Sequence, residues 1–226
     1  MKQERTIGEG VYIIGGPGIT HASDATSFVL VCGDELVMID SGAGESAQLL
    51  VKNLERLGLA PDSLSTLILT HCHIDHIGSA PYLKDRFGCR LIIHDLDADA
   101  IERGDPSSTA AELYGTTFPP TQIDMRLTGE RGTLTFGTEG IHWLHTPGHT
   151  PGSLSLYCER GGKRILFGQD IHGPFLSSFG SDIDAWKRSM KKLLDLEADI
   201  LCEGHFGIFS SKERVRSYIM GYLNRY

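Results

Sequence analysis

The chain has 226 residues, enough for one large domain with a buried core, and its 40% hydrophobic and 22% charged content excludes wholesale disorder. Twenty-one basic against 29 acidic residues leave a net charge of -8, which argues against polyanionic partners such as nucleic acid or anionic lipid. No apolar run reaches membrane-spanning length, and the opening MKQERTIGEG has no apolar core of a secretion signal, so a cytoplasmic location without a membrane partner is expected.

Short strand patterns open the chain: VYIIG at 11–15, SFVLVC at 27–32 and ELVMID at 35–40, the last two joined by a Gly33-Asp34 turn. Residues 46–57 read as a helix on the spacing of Ala47, Leu50, Val51, Leu54 and Leu57. STLILT at 65–70 is a buried strand, 80–87 a second helix and RLIIH at 90–94 another strand. Residues 104–123 are irregular and rich in Pro, Ser and Thr, and are expected to cover a site or a homodimer interface, with Tyr114 and Phe118 as lid residues. Strands resume near 125–127, 133–136, 141–144, 153–158 and 164–168. A helix over 184–196 sets Trp186, Met190, Leu193 and Leu194 against a basic face; a strand at 198–205 and an amphipathic helix at 211–225 follow. This order is not a regular βα alternation and fits two packed sheets with helices outside. The five cysteines are odd in number, scattered and without a CxxC pair, which fits reduced thiols.

The histidines carry the chemistry. Directly after a strand come His71-Cys72-His73-Ile74-Asp75-His76. Alternate residues of an extended segment share a face, so His71 and His73 point one way and Cys72 the other. Asp75 and His76 come around the following turn. Two divergent pairs on one turn suit two adjacent metals, and imidazole with carboxylate suits zinc, iron, manganese or cobalt rather than calcium or magnesium.

This string resembles the second motif of the metallo-β-lactamase superfamily, and the resemblance extends over nearly the whole chain. LVMIDSG at 36–42 is similar to the first motif, TPGHTPGS at 146–153 to the third, FGQD at 167–170 to the fourth and EGH at 203–205 to the fifth. The resemblance implies a single metallo-β-lactamase-fold domain over 1–226, an α/β four-layer αββα sandwich with the site at one edge. It implies a first metal on His71, His73 and His149, a second on Asp75, His76 and His205, and Asp170 bridging them. Asp40 is implied as a buried support for the ligand loop. Many members have Gly before the bridging Asp where this chain has Gln169; Asp182 and Asp184 are the fallback bridges.

The remaining polar residues read less sharply. His145 is expected to pack near the third motif without ligating, and His94 and His142 to be structural. His172, two residues after Asp170, is a candidate to reach the pocket together with Tyr114. His21 and Asp24 read as a solvated turn that can also line the mouth, and Arg214 and Arg216 as a solvated face.

Two cations sharing a carboxylate would lower the pKa of a bridging water until hydroxide exists at neutral pH. Asp75 and Asp170 are then the catalytic carboxylates, and no Ser or Cys nucleophile is required. The function inferred is a dinuclear metal-dependent hydrolase, zinc by default with iron or manganese as alternatives, acting on a small-molecule thioester, lactone or related acyl ester. The alternative is a mononuclear non-haem iron persulfide dioxygenase, with the iron on His71, His149 and Asp170.

Overall fold

The computed structural model describes residues 5–226. Seven strands form the first sheet in chain order: β1 Thr6–Gly8, β2 Val11–Gly15, β3 Ser27–Cys32, β4 Glu35–Ile39, β5 Leu64–Ile68, β6 Arg90–His94 and β7 Met125–Leu127. Pairing is antiparallel from β1 to β4 and parallel from β4 to β7. Parallel neighbours need crossovers. Here these run through the helices α1 Ala47–Arg56, the single turn α2 Ile74–Ile77, α3 Ala80–Phe87 and α4 Asp95–Arg103.

The second sheet contains β8 Arg131–Phe136, β9 Glu139–His145, β10 Leu154–Arg160, β11 Lys163–Gln169, β12 Ile200–Glu203 and β13 Gly207–Ser210, in the order β13-β12-β11-β10-β9-β8. Within this sheet, among the described residues, only β11 and β12 pair in parallel, and α5 Ile183–Asp195 makes that crossover. Helix α6 Lys212–Leu223 closes the chain.

Strand alternation explains the layering. Phe28, Leu30, Val37, Ile39 and Ile68 of the first sheet meet Leu156, Ile165, Phe167 and Ile200 of the second in the central core. Their neighbours Val29, Leu36, Met38 and Leu67 face outward onto Leu50, Leu54, Leu83 and Ile101 of the helices. Leu166 and Leu201 likewise face Trp186, Met190, Leu193, Val215 and Ile219. Strands buried on both sides read as unbroken apolar runs, and three apolar layers make the αββα sandwich expected from the resemblance.

Helix α4 and strands β1 and β13 are among the elements that the sequence pattern does not show. Helix α4 (DLDADAIER) buries Ala98 and Ile101 together with a carboxylate, Asp97, so its apolar stripe is too thin to register. Strands β1 and β13 are short sheet edges. Phe118 corrects the lid expectation: it is buried in the outer core of the first sheet with Ile101 and Ala111, and covers no site.

Candidate metal centre

The carboxyl ends of the parallel strands β4 and β5 and of β11 and β12 meet at one edge of the sandwich. The segment after β4 brings Asp40, that after β5 brings residues 70–76, that after β11 brings Asp170, and that after β12 brings His205; His149 comes from the β9–β10 loop. Crevices beyond the carboxyl ends of parallel strands are where open sheets place ligands. Backbone bonds lock the segments together: Leu154 N donates to Thr70 O at 2.8 Å, Ser41 N to His76 O at 2.7 Å and Thr26 N to Gly204 O at 2.7 Å.

Asp40 organises the ligand loop. It accepts from Thr70 N and Thr70 Oγ1, both at 2.8 Å, from His76 Nδ1 at 2.7 Å and from the Gln169 amide. It sits at a φ of 57°, a left-handed conformation that Asp tolerates better than most residues. Gln169 also has positive φ, 42°, which explains why glycine suits that position; here its amide reaches Asp40 instead.

Two donor sets result. In the first, His73 Nδ1 lies 3.1 Å from His71 Nε2 and 2.8 Å from His149 Nε2, and Asp170 Oδ2 lies 3.4 Å from His149 Nε2 and 3.9 Å from His71 Nε2. In the second, Asp75 Oδ2 lies 3.6 Å from His76 Nε2 and 3.3 Å from His205 Nε2. Asp170 Oδ1 lies 3.2 Å from the former and 3.3 Å from the latter. The two oxygens of Asp170 thus face different sets. Asp182 caps α5 by accepting from Ala185 N at 2.9 Å, which removes it as a bridge.

The chemistry of these donors fits divalent zinc, iron or manganese. Nitrogen and carboxylate oxygen atoms converge within 4.8 Å of one another in each set. Among the described residues, buried His76 Nε2 and Asp170 Oδ1 make no hydrogen bond, although buried polar atoms are normally partnered. The second nitrogen is held in three of the candidate imidazoles: His76 Nδ1 by Asp40, His149 Nδ1 by the Pro174 carbonyl at 2.9 Å and His71 Nδ1 by Thr70 Oγ1 at 3.2 Å. Such outer bonds fix tautomer and ring orientation.

The sets differ electrostatically. Burial lowers the pKa of His71 and His149 and takes His73 down to about 3, so these imidazoles stay neutral. Burial opposes charge on His76 and His205 too, but carboxylates override it: Asp170, Asp75 and Asp40 raise His76, and Asp170 with Asp75 brings His205 to about 10. Asp75 and Asp170 are held below the usual carboxylate range against their burial, chiefly by His76 and then His205.

A cleft of about 230 Å³ opens onto these donors. Tyr114 and His172 both line it, as the sequence suggested. Burial and the nearby Asp75 raise the Tyr114 phenol well above its ordinary value, which keeps it a hydrogen-bond donor. His172 donates from Nδ1 to Glu203 Oε1 at 2.8 Å, and its ring lies 5.1 Å from that of His205.

A sequence model of the metallo-beta-lactamase superfamily matches residues 20–205. The chain belongs to that superfamily. A probable metallo-hydrolase of Bacillus subtilis, YflN, is 29% identical over 84% of this chain and 81% of its own length. Another of Methanocaldococcus jannaschii is 33% identical over 58% of this chain and 61% of its own. The metallo-beta-lactamase GOB-18 of Elizabethkingia meningoseptica superposes with a TM-score of 0.79 at 22% identity, covering 97% of this chain and 87% of that one, a likeness of fold.

Within this superfamily frame, two supporting carboxylates were missed from sequence. Asp97 of α4 accepts from Cys72 N at 3.1 Å, Thr150 Oγ1 at 2.7 Å and Gly152 N at 2.7 Å, tying the second motif to the third. Fully buried Glu203 accepts from His205 N at 2.7 Å and Phe206 N at 2.8 Å as well as from His172. A further correction concerns Asp24. It is buried rather than part of a solvated turn, accepting from Thr20 Oγ1 at 2.5 Å and Ala43 N at 2.8 Å, while His21 stays exposed. His145 stacks on His94 with ring centroids 4.0 Å apart and lies outside both donor sets. Cys72 packs against the Ser108 carbonyl and is no ligand candidate among the described residues.

Proposed function

We propose that this metal-dependent hydrolase works with two divalent ions, zinc by default with iron or manganese as alternatives, and cleaves an acyl ester, thioester or lactone. His71, His73 and His149 would hold one ion, Asp75, His76 and His205 the other, and Asp170 would span both. When bound, the ions supply Lewis acidity and water activated at neutral pH. The observation that carries the reading is Asp170, whose Oδ2 faces one histidine set and whose Oδ1 faces the other.

The chain's own groups do the rest. Asp75 and Asp170 are the carboxylates at the cleft floor, placed to orient the attacking water through its protons. Tyr114, kept protonated, donates to the substrate from the rim. Water oxygen adds to the carbonyl carbon, the C–O or C–S bond breaks, and the water's proton ends on the leaving alkoxide or thiolate. The buried histidines of the first set remain neutral and so need no proton removed before they bind.

Elemental analysis of protein purified without added metal, followed by an ester, thioester, lactone and phosphodiester panel, tests this reading. Two ions per chain with acyl hydrolysis are expected. One iron per chain with oxygen uptake on a persulfide would replace it with the dioxygenase alternative.

A further inference from the structure

The cleft above the candidate metal centre has a polar floor and apolar walls. Ala110, Leu113 and Tyr114 form one wall, and Pro174, Leu176 and Phe179 the other. The Phe179 ring lies 4.2 Å from that of His73 and 6.0 Å from that of His149, and Leu176 carries the apolar surface outward. At the rim, Leu113 is 65% and Leu176 41% exposed. Large apolar side chains left in water at the mouth of a site mark a surface that a ligand covers.

Charge points the same way. Among the described residues that line the cleft, none is lysine or arginine, and the chain as a whole carries -8. Cations bound at the floor would face the reacting carbonyl. An anionic group at the far end of a substrate would be desolvated against leucine and phenylalanine with no lysine or arginine of the lining to pair it.

We infer that the cleft selects substrates whose acyl group is an uncharged apolar chain and rejects those whose chain ends in a carboxylate or phosphate. This inference rests on the acyl hydrolysis proposed above. It assigns Leu113, Leu176 and Phe179 as the specificity-determining residues, since an apolar chain laid along them takes both its own surface and theirs out of water.

The test has two arms on the metal-loaded protein. In the first, kcat/KM is measured for acetyl, butyryl, hexanoyl and octanoyl thioesters of one uncharged thiol, with succinyl and glutaryl thioesters as carboxylated counterparts. A rise of about fourfold for each fully covered methylene is expected, with the carboxylated acyl groups at least tenfold poorer than butyryl. Leu113→Asp and Leu176→Asp, both at exposed positions that tolerate a polar side chain, should flatten the series, and Leu176→Arg should improve the glutaryl substrate. In the second arm, binding of octanohydroxamate is compared with suberic monohydroxamate, a matched chain ending in a carboxylate. The former should bind at least tenfold more tightly. Equal binding would overturn the inference whatever the turnover, as would a flat chain-length series. Preferential binding of the apolar probe with no hydrolysis of any acyl substrate would uphold the cleft assignment and overturn the proposed reaction.

Discussion

His76 donates from Nδ1 to Asp40 Oδ2 at 2.7 Å, and both side chains are fully buried. This bond turns Nε2 of His76 toward Asp75 and Asp170. Asp40→Asn should keep the left-handed backbone, which Asn also tolerates, while weakening the bond. Metal affinity of the second donor set is expected to fall about 10- to 100-fold, with the first set less affected. Chelator competition followed by metal counting checks this; equal loss at both sets would mean that Asp40 supports the loop as a whole.

Asp170→Ala and His145→Ala separate donor from packing residue. The first removes both oxygens that face the two sets, and should abolish occupancy of at least one ion and most activity. The second breaks a stacked pair with His94 and a 2.8 Å contact to the Pro151 carbonyl. Its cost is expected as about 1 kcal/mol of stability, with metal content unchanged. Matching metal loss in both variants would contradict the assignment of the third motif.

Metal loading should release protons unevenly. Ligand imidazoles bind as the neutral form. His73, lowered to about 3, is already neutral at pH 7, whereas His205, raised to about 10, is protonated, as is His76. The first set should therefore load with little proton release and the second with release of about two protons. As pH falls from 8 to 6, affinity of the second set should drop more steeply. Calorimetric titration of metal-free protein in buffers of different ionisation enthalpy measures both steps; equal proton counts would refute the asymmetry.

The thiols give a prediction about stability at alkaline pH. All five cysteines are buried and free, and burial pushes Cys89 up to about 11 and Cys158 to about 12. The folded pKa lies above the unfolded one, so these thiols' contribution is complete below about pH 8.5 and lost as pH rises above it. Native protein at pH 8 should leave its thiols unlabelled by a disulfide reagent, and denaturant should expose all five. Urea midpoints should decline above pH 9, less so in Cys158→Ala once its own cavity cost is subtracted.

Much of the site was legible because its donors cluster in the chain. His71, His73, Asp75 and His76 lie within six residues directly after an apolar strand, a density of metal-binding side chains that a merely solvated loop has no reason to carry. The central strands were legible for the same local reason, their unbroken apolar runs. Asp97 and Glu203 were not, because what they do is join segments apart in sequence: Cys72 to Gly152 in one case, His172 to His205 in the other. Asp24 and Phe118 look like loop residues in the chain and are buried by partners that only the fold supplies. Tyr114 stood out as an aromatic in a polar loop, and the single turn Ala111–Tyr114 carries it to the cleft.

Each histidine set draws on both sheets: residues 71–76 leave the end of β5, while His149, Asp170 and His205 leave loops of the other sheet. An ion held across that seam is a crosslink closing long loops, as a disulfide would, but one whose strength depends on supply. The two halves of the sandwich are then riveted only as firmly as the surrounding metal concentration permits. The melting temperature becomes a property of chain and medium together, rising with free metal and falling when a chelator competes for it.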